Sequence, residues 1–354
     1  MNWLKPNRLF KFCTPIYLLV LKIHRTIYDW KIIVPFKPNQ PTLILGNLHS
    51  GGTGKTPLAI WILNKIKDKI PNSSYVSRGY GRKSWKTQKV ESNSRVSKVG
   101  DEARMIRSKF SSDISIVVAR KRRRAFPLIN PDSPVILDDA FQHWDLKGPL
   151  SVLICPYKKW YTNELVIPAG PLREPSSEAN RATAIIVTKC PREINEYERL
   201  EIRKILRIKK DQRLFCTQET MGAPAPEFNS PIWTGEEAAL VVAGIGNPQN
   251  YFAHVKNSNF FSKDGNAVGF LNLVDHAKWN SYNINKVLKA AKRLHCNTLI
   301  LTEKDIARLD NLPSEWSSFS IYSIPHELNF GDDERIFLSW LKDQWKAHGY
   351  NLPL

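Results

Sequence analysis

The sequence predicts an α/β protein with a larger unit on a mostly parallel sheet, a smaller second α/β unit and an N-terminal amphipathic helix. Three observations carry that expectation. Short apolar runs suited to buried strands recur along the chain, with helical patterns between most of them. One of these runs leads into a glycine-rich turn that opens a helix. A stretch rich in Pro, Gly and polar residues at 218–236 divides the alternation into two series and reads as a linker.

Size and composition agree with this. A chain of 354 residues is long enough for two domains, and 42% hydrophobic residues can fill their cores. The five cysteines, Cys13, Cys155, Cys190, Cys216 and Cys296, are odd in number and contain no Cys-x-x-Cys pair. They fit neither a disulfide framework nor a zinc site, and read as reduced thiols of a cytosolic compartment. The net charge of +19 is concentrated: residues 1–40 hold seven Lys/Arg against one acid, and residues 78–124 hold fifteen against four. Two local basic surfaces imply anionic partners beside them. Nucleic acid is not expected among these, since no helix-turn-helix, RNA-recognition or zinc-knuckle signature accompanies Arg120-Lys121-Arg122-Arg123-Arg124.

The N-terminal element comes first. Thr14-Pro15 reads as an N-cap with proline at the first helical position. Ile16, Leu19, Val20, Ile23, Ile27 and Trp30 then form one apolar stripe at helical spacing. Lys5, Arg8, Lys11, Lys22 and Arg25 supply positive charge, and Phe10, Phe12, Tyr17 and Tyr28 supply aromatic groups. That combination suits the interface of an anionic leaflet; packing against the protein's own domain is the alternative. The longest apolar run, residues 13–21, is too short to span a bilayer. A signal peptide is disfavoured because no small-residue cleavage site follows the run.

The glycine turn is the strongest chemical signal. A buried-type strand at 42–46 runs into Ser50-Gly51-Gly52-Thr53-Gly54-Lys55-Thr56, and a helix with Leu58, Ile62, Leu63, Ile66 and Ile70 on one face follows. Glycines let backbone N–H groups close around phosphates, and the helix N-terminus adds its positive end. Lys55 is placed to reach the β/γ-phosphates and the Thr56 hydroxyl to ligate magnesium. His49 stands where the strict motif has its first glycine. A second strand, 134–137, ends in Asp138-Asp139, where a P-loop protein places its further magnesium contact. Together these define a P-loop core. Further strands are expected at 115–119, 152–155, 184–188, 240–243, 298–301 and 318–323, with a tight Gly244-Ile245-Gly246 turn in the second unit. The units follow as 1–35 for the helix, 36–220 for the core and 221–354 for a smaller unit that closes over the active site.

At this point the residues resemble one family over nearly the whole chain: the tetraacyldisaccharide 4'-kinases of lipid A synthesis. The blocks are Gly46-Asn47-Leu48 with 51–57, Ser77-Arg78-Gly79-Tyr80-Gly81-Arg82, Gly100-Asp101-Glu102, and Leu137-Asp138-Asp139-Ala140-Phe141-Gln142-His143. They continue with 168–175, Val187-Thr188-Lys189, Gly244-Ile245-Gly246-Asn247-Pro248, Asp275-His276 and Thr302-Glu303-Lys304-Asp305.

The resemblance implies ATP, Mg2+ and transfer of the γ-phosphate to the 4'-hydroxyl of an acylated glucosamine disaccharide 1-phosphate. It implies a peripheral enzyme on the cytoplasmic face of a Gram-negative inner membrane. Residues 50–56 with Gln142 and His143 fall at its nucleotide positions, and Thr56, Asp138 and Asp139 at its metal positions. Asp101 and His276 match an acid–histidine pair that orients and deprotonates the attacking hydroxyl. Arg78, Glu102, Arg173 and Glu174 match positions around the acceptor. Ala140, Ala103 and Ala277 replace the glycine, proline and second histidine usual in these blocks. The rival is a switch ATPase or GTPase of the partitioning or metal-insertase type, which shares Gly-Gly-x-Gly-Lys-Thr. Many of those carry a lysine where this chain has Ser50.

Overall fold

The computed structural model describes residues 12–110, 113–148, 150–261 and 268–352. Lys5, Arg8, Phe10 and Lys11 of the expected basic and aromatic flank lie outside these residues. Helix α1 (Thr14–Asp29) takes Cys13 as its N-cap, one residue earlier than expected, with Pro15 in its first turn.

The larger sheet has eight strands: β1 (Thr42–Gly46), β2 (Ser74–Ser77), β3 (Gln88–Lys89), β4 (Ser115–Val118), β5 (Val135–Leu137), β6 (Leu150–Pro156), β7 (Ala184–Thr188) and β8 (Arg213–Cys216). Their order is β3-β4-β2-β5-β1-β6-β7-β8, parallel throughout except for β3. Helices and turns cover both faces, which is why strands such as β1 and β7 are apolar without alternation. On one face, Leu58, Ile62 and Ile66 of α2 (Lys55–Ile66) pack on Leu43, Leu45, Ile136 and Ile154. On the other, Val76, Val117 and Leu137 meet Ala125 and Phe126. The short α3 (Val96–Val99) precedes α4 (Asp101–Lys109), and α5 (Glu196–Ile205) joins β7 to β8 behind an Asn195–Glu198 capping box.

The chain leaves this sheet through β9 (Gln218–Met221), inside the stretch expected to be a linker. A second sheet follows, built from β10 (Ala225–Glu227), β11 (Ala239–Ala243), β12 (Val268–Asn272), β13 (Thr298–Thr302) and β14 (Ser320–Ile324). Its order is β10-β14-β13-β11-β12, with only β10 antiparallel. Helices α6 (Pro248–Lys256), α7 (Ser281–Arg293) and α8 (Glu303–Ala307) connect these strands.

The 221–354 segment divides in its packing. After the second sheet, β15 (His326–Asn329) pairs antiparallel with β9, forming a two-stranded ribbon between the units. Helix α9 (Asp333–Ala347) then returns to the first sheet, where Phe337, Leu341 and Trp345 join the core of α2 and β1. Asp333 fixes this return by accepting from Arg199 at 2.9 Å and from the Cys216 backbone N–H at 2.8 Å.

Candidate active site

β1 lies between β5 and β6, so the loop leaving it opens at the carboxyl edge of the sheet where connections diverge to either side, the usual position of a ligand crevice in such sheets. Gly46 ends the strand against Phe141; a Cβ there would lie 2.3 Å from the Phe141 Cβ. Gly51, Gly52 and Gly54 have φ of 87°, 42° and 94°, the left-handed conformation in which glycine carries no steric penalty. A Cβ on Gly51 or Gly52 would meet nothing within 4 Å, so these glycines are needed for backbone direction around an open concavity. The loop is held from behind. Asn47 Nδ2 donates to Thr53 Oγ1 at 2.8 Å, and Thr188 Oγ1 donates to the Thr53 carbonyl at 2.8 Å.

The Asp138-Asp139 turn sits beside this loop. Lys55 Nζ is 3.4 Å and Arg173 Nη1 2.8 Å from Asp139 Oδ1, and these two cations hold the Asp139 carboxyl below its ordinary range despite burial. Asp138 is buried and accepts from Tyr75 Oη at 2.6 Å through Oδ2. Its Oδ1 is enclosed without a hydrogen-bond partner. Desolvation, reinforced by nearby Glu102, pushes this carboxyl up to about 6.

The sequence places Arg122 in a basic run beside anionic partners, but the residue is fully buried. Its Nη2 donates to the carbonyls of Asp138 (2.7 Å) and Asp139 (3.2 Å), and Nη1 to Ala119 at 2.9 Å. Nothing local in Arg120-Lys121-Arg122-Arg123-Arg124 singles this residue out. Its burial comes from the packing of the 122–128 turn, which sets Ala125 and Phe126 against Val76, Val117 and Leu137.

Asp101 and His276 come from different units and meet. Asp101 opens α4 behind Gly100, whose φ of 89° permits the turn. His276 Nδ1 lies 2.9 Å from Asp101 Oδ2, and Arg308 Nε donates to the same oxygen at 3.1 Å. Burial raises the Asp101 carboxyl, but His276 and Arg308 more than offset it and hold it well below the carboxylate range. The reciprocal interaction raises the imidazole. Arg308 is fixed in turn by Asp305 Oδ1 at 2.7 Å and the Gly244 carbonyl at 2.8 Å. Asp305 also takes the Gly244 backbone N–H and the Thr302 hydroxyl, which accounts for the Gly244 and Thr302–Asp305 blocks. A Lys304–Glu102 pair at 2.9 Å and a Lys109–Glu303 pair stitch the same seam. Sequence reasoning missed Arg308 and Lys304 because their partners lie some two hundred residues away.

Of the remaining expected residues, Glu174, Gln142 and His143 have structural partners. Glu174 is buried and accepts from Arg181 (2.8 Å), Trp144 (3.0 Å) and Gln142 (3.2 Å). Gln142 also donates to the Asn47 carbonyl at 2.9 Å, so it ties the glycine loop to Glu174. His143 is half-buried, 3.5 Å from Asp145. Arg78 is exposed on the loop after β2.

Known proteins with this arrangement are informative. The family profile for tetraacyldisaccharide-1-P 4'-kinase (LpxK) matches residues 7–346. The tetraacyldisaccharide 4'-kinase of Parabacteroides distasonis is 32% identical over 92% of this chain and 91% of its own length. That of Flavobacterium johnsoniae is 30% identical over 93% and 96%. In three dimensions the chain is similar to Aquifex aeolicus LpxK, crystallised in complex with ATP. The TM-score is 0.72 at 21% identity, covering 94% of this chain and 98% of that one. The chain belongs to the tetraacyldisaccharide-1-P 4'-kinase family.

Proposed function

We infer that this chain transfers the γ-phosphate of ATP to the 4'-hydroxyl of a tetraacyldisaccharide 1-phosphate, with residues 50–56 cradling the nucleotide and the Asp101–His276 pair serving the acceptor. The meeting of that pair at 2.9 Å carries the reading. A phosphoryl-transfer enzyme needs a cradle, a cation and an oriented hydroxyl, and the pair adds the third to the first two. A switch ATPase of the partitioning or insertase type is not favoured, given the family found above.

The donor set fits Mg2+. Asp138 Oδ1 is a buried, unpartnered carboxylate oxygen at the end of β5, the neighbour of the strand that leads into the Thr56 loop. Magnesium commonly takes one or two carboxylates and completes its shell with water and phosphate oxygens. Thr56 and Asp138 would hold it, and when bound it neutralises charge on the β- and γ-phosphates. Asp139 serves differently, holding Lys55 and Arg173 as a paired cationic clamp for the transferring group. Arg122 fixes both carboxylates through their backbone carbonyls.

Asp101, held anionic by its hydrogen bond from His276 and by the Arg308 guanidinium, is by itself a weak proton acceptor. The pair acts as a unit. Asp101 orients the imidazole through Nδ1, and Nε2, 3.9 Å from Asp275, takes the hydroxyl proton as the new bond forms. Because the pair spans two units, the smaller unit closing over the loop completes the site.

Attachment to an anionic membrane surface follows from α1. The helix has no buried residue; Tyr17 and Arg25 dock it through Arg173 and Glu178, while Ile16, Leu19, Val20 and Ile23 face outward, each more than half exposed. Among the described residues no helix is long and apolar enough to cross a membrane, so contact is at the interface. The test is ADP formation with and without micellar acceptor. Acceptor-dependent turnover supports the kinase reading, and turnover indifferent to acceptor overturns it.

A further inference from the structure

The carboxyl edge of the main sheet carries a second feature that phosphoryl transfer does not use. β4, β2, β5 and β1 are neighbours and parallel, so their carboxyl ends share one edge. The glycine loop leaves β1 there, and Asp138-Asp139 leave β5. The 78–87 loop leaves β2, and Arg120 follows β4. Three strand spacings separate β4 from β1, about 14 Å. Helix α1 docks on the opposite flank of the loop, through Tyr17 on the Arg173 carbonyl.

On the β4 side Trp85 is 74% exposed, and the Arg120 guanidinium lies 3.6 Å from its ring centroid. Single exposed apolar residues are ordinary, and a lone tryptophan would carry little. Here the ring holds an arginine for which no hydrogen bond or ion pair is found among the described residues, in a surface of exposed Lys83, Lys86, Lys121, Arg123 and Arg124. A tryptophan with cationic neighbours is suited to the headgroup level of a bilayer, where the ring sits among headgroups and the cations meet phosphates.

We propose that Trp85 and Arg120 form a second contact with the anionic membrane surface, so that this stack and α1 straddle the nucleotide loop and set the active-site edge against the bilayer. The inference rests on the membrane attachment through α1 proposed above. Its consequence is geometric. Attachment at α1 alone leaves the edge free to pivot away from a lipid-embedded acceptor, and a second point on the far flank removes that freedom.

The test measures partition of the full chain onto phosphatidylcholine vesicles with and without phosphatidylglycerol, alongside turnover of micellar acceptor. Trp85→Ala/Arg120→Ala is expected to lower partition onto anionic vesicles by on the order of tenfold, with a smaller loss on neutral ones. Micellar turnover and melting temperature are expected to stay as in wild type, since both side chains are exposed. Unchanged partition overturns the proposal. A raised acceptor KM in micelles with unchanged partition also overturns it and assigns the stack to the substrate. Leu19→Glu/Ile23→Glu, measured in parallel, separates the two readings. If that variant binds normally while the Trp85 variant does not, the second contact stands and the α1 reading falls. Wild-type protein that ignores both vesicle types overturns both.

Discussion

Replacing Asp101 with asparagine keeps the shape of the side chain and removes its charge, which separates its catalytic contribution from its packing. In the structure Oδ2 receives two charge-assisted bonds from the second unit, at 2.9 Å from His276 and 3.1 Å from Arg308, while Oδ1 accepts the Glu102 backbone N–H at 3.0 Å. Hydrogen bonds to charged groups are each worth roughly 1.5–3 kcal/mol. Arg308 keeps Asp305 and the Gly244 carbonyl, so the loss is expected near the cost of one such bond, about 2–3 kcal/mol. Catalysis should suffer more, with kcat falling by ~10²–10⁴ as the imidazole loses its orienting anion. The pH dependence is the sharper readout. Asp101 raises the His276 pKa, so the wild-type rate should climb with pH through a value above the ordinary histidine range as the imidazole becomes neutral. In Asp101→Asn that limb should move to lower pH, and in His276→Ala it should disappear. The same shift stabilises the seam between units: the contribution is full below the unfolded histidine pKa and is lost as pH rises through the raised one. Stopped assays across pH with ATP saturating provide the measurement. An Asp101→Asn enzyme with ordinary kcat and an unmoved pH limb refutes the assignment of the pair.

Other perturbations probe the remaining parts. Lys55→Ala removes the cation 3.4 Å from Asp139 and should abolish transfer while leaving the circular dichroism spectrum intact. Arg122→Met leaves the carbonyls of Ala119, Asp138 and Asp139 without their buried donor, so it should destabilise by at least about 2 kcal/mol and raise the magnesium concentration needed for half-maximal rate. Denaturant titration and a magnesium titration read these two effects separately. Leu19→Glu/Ile23→Glu places charge on the outward stripe of α1 without touching its docked side, and should move the protein from membrane to supernatant on fractionation with micellar turnover retained.

Much of this was legible because it is local. The glycine loop, the β1 run before it and the α2 pattern behind it occupy some twenty-five consecutive residues. Strands buried on both faces announce themselves as apolar runs, so β1, β4, β5, β6, β7, β11, β13 and β14 lie where their sequences place them. Polar or short strands do not. Gln218-Glu219-Thr220-Met221 shows no alternation, and it becomes β9 only because His326–Asn329 pairs with it from the far end of the chain. Helix α9 is amphipathic in any reading, but its choice of the first sheet depends on Trp345 and Phe337 finding α2 and on Asp333 finding Arg199. Charged residues were the least legible. Arg122, Glu174 and Arg308 look like surface groups in a basic or polar stretch, and only tertiary neighbours make them buried supports. The pairing of Asp101 with His276 came from resemblance to a family; spacing alone carries no sign of it.

The central claim is that this site moves a phosphoryl group from ATP to a sugar hydroxyl of a lipid. It is tested most directly by incubating the wild-type protein with γ-labelled ATP, Mg2+ and tetraacyldisaccharide 1-phosphate in micelles, then locating the label in the product. The account predicts a bisphosphorylated lipid with the new phosphate on the 4'-oxygen, absent with Lys55→Ala and strongly reduced with Asp101→Asn. Label recovered only as inorganic phosphate, at a rate indifferent to the lipid, contradicts it.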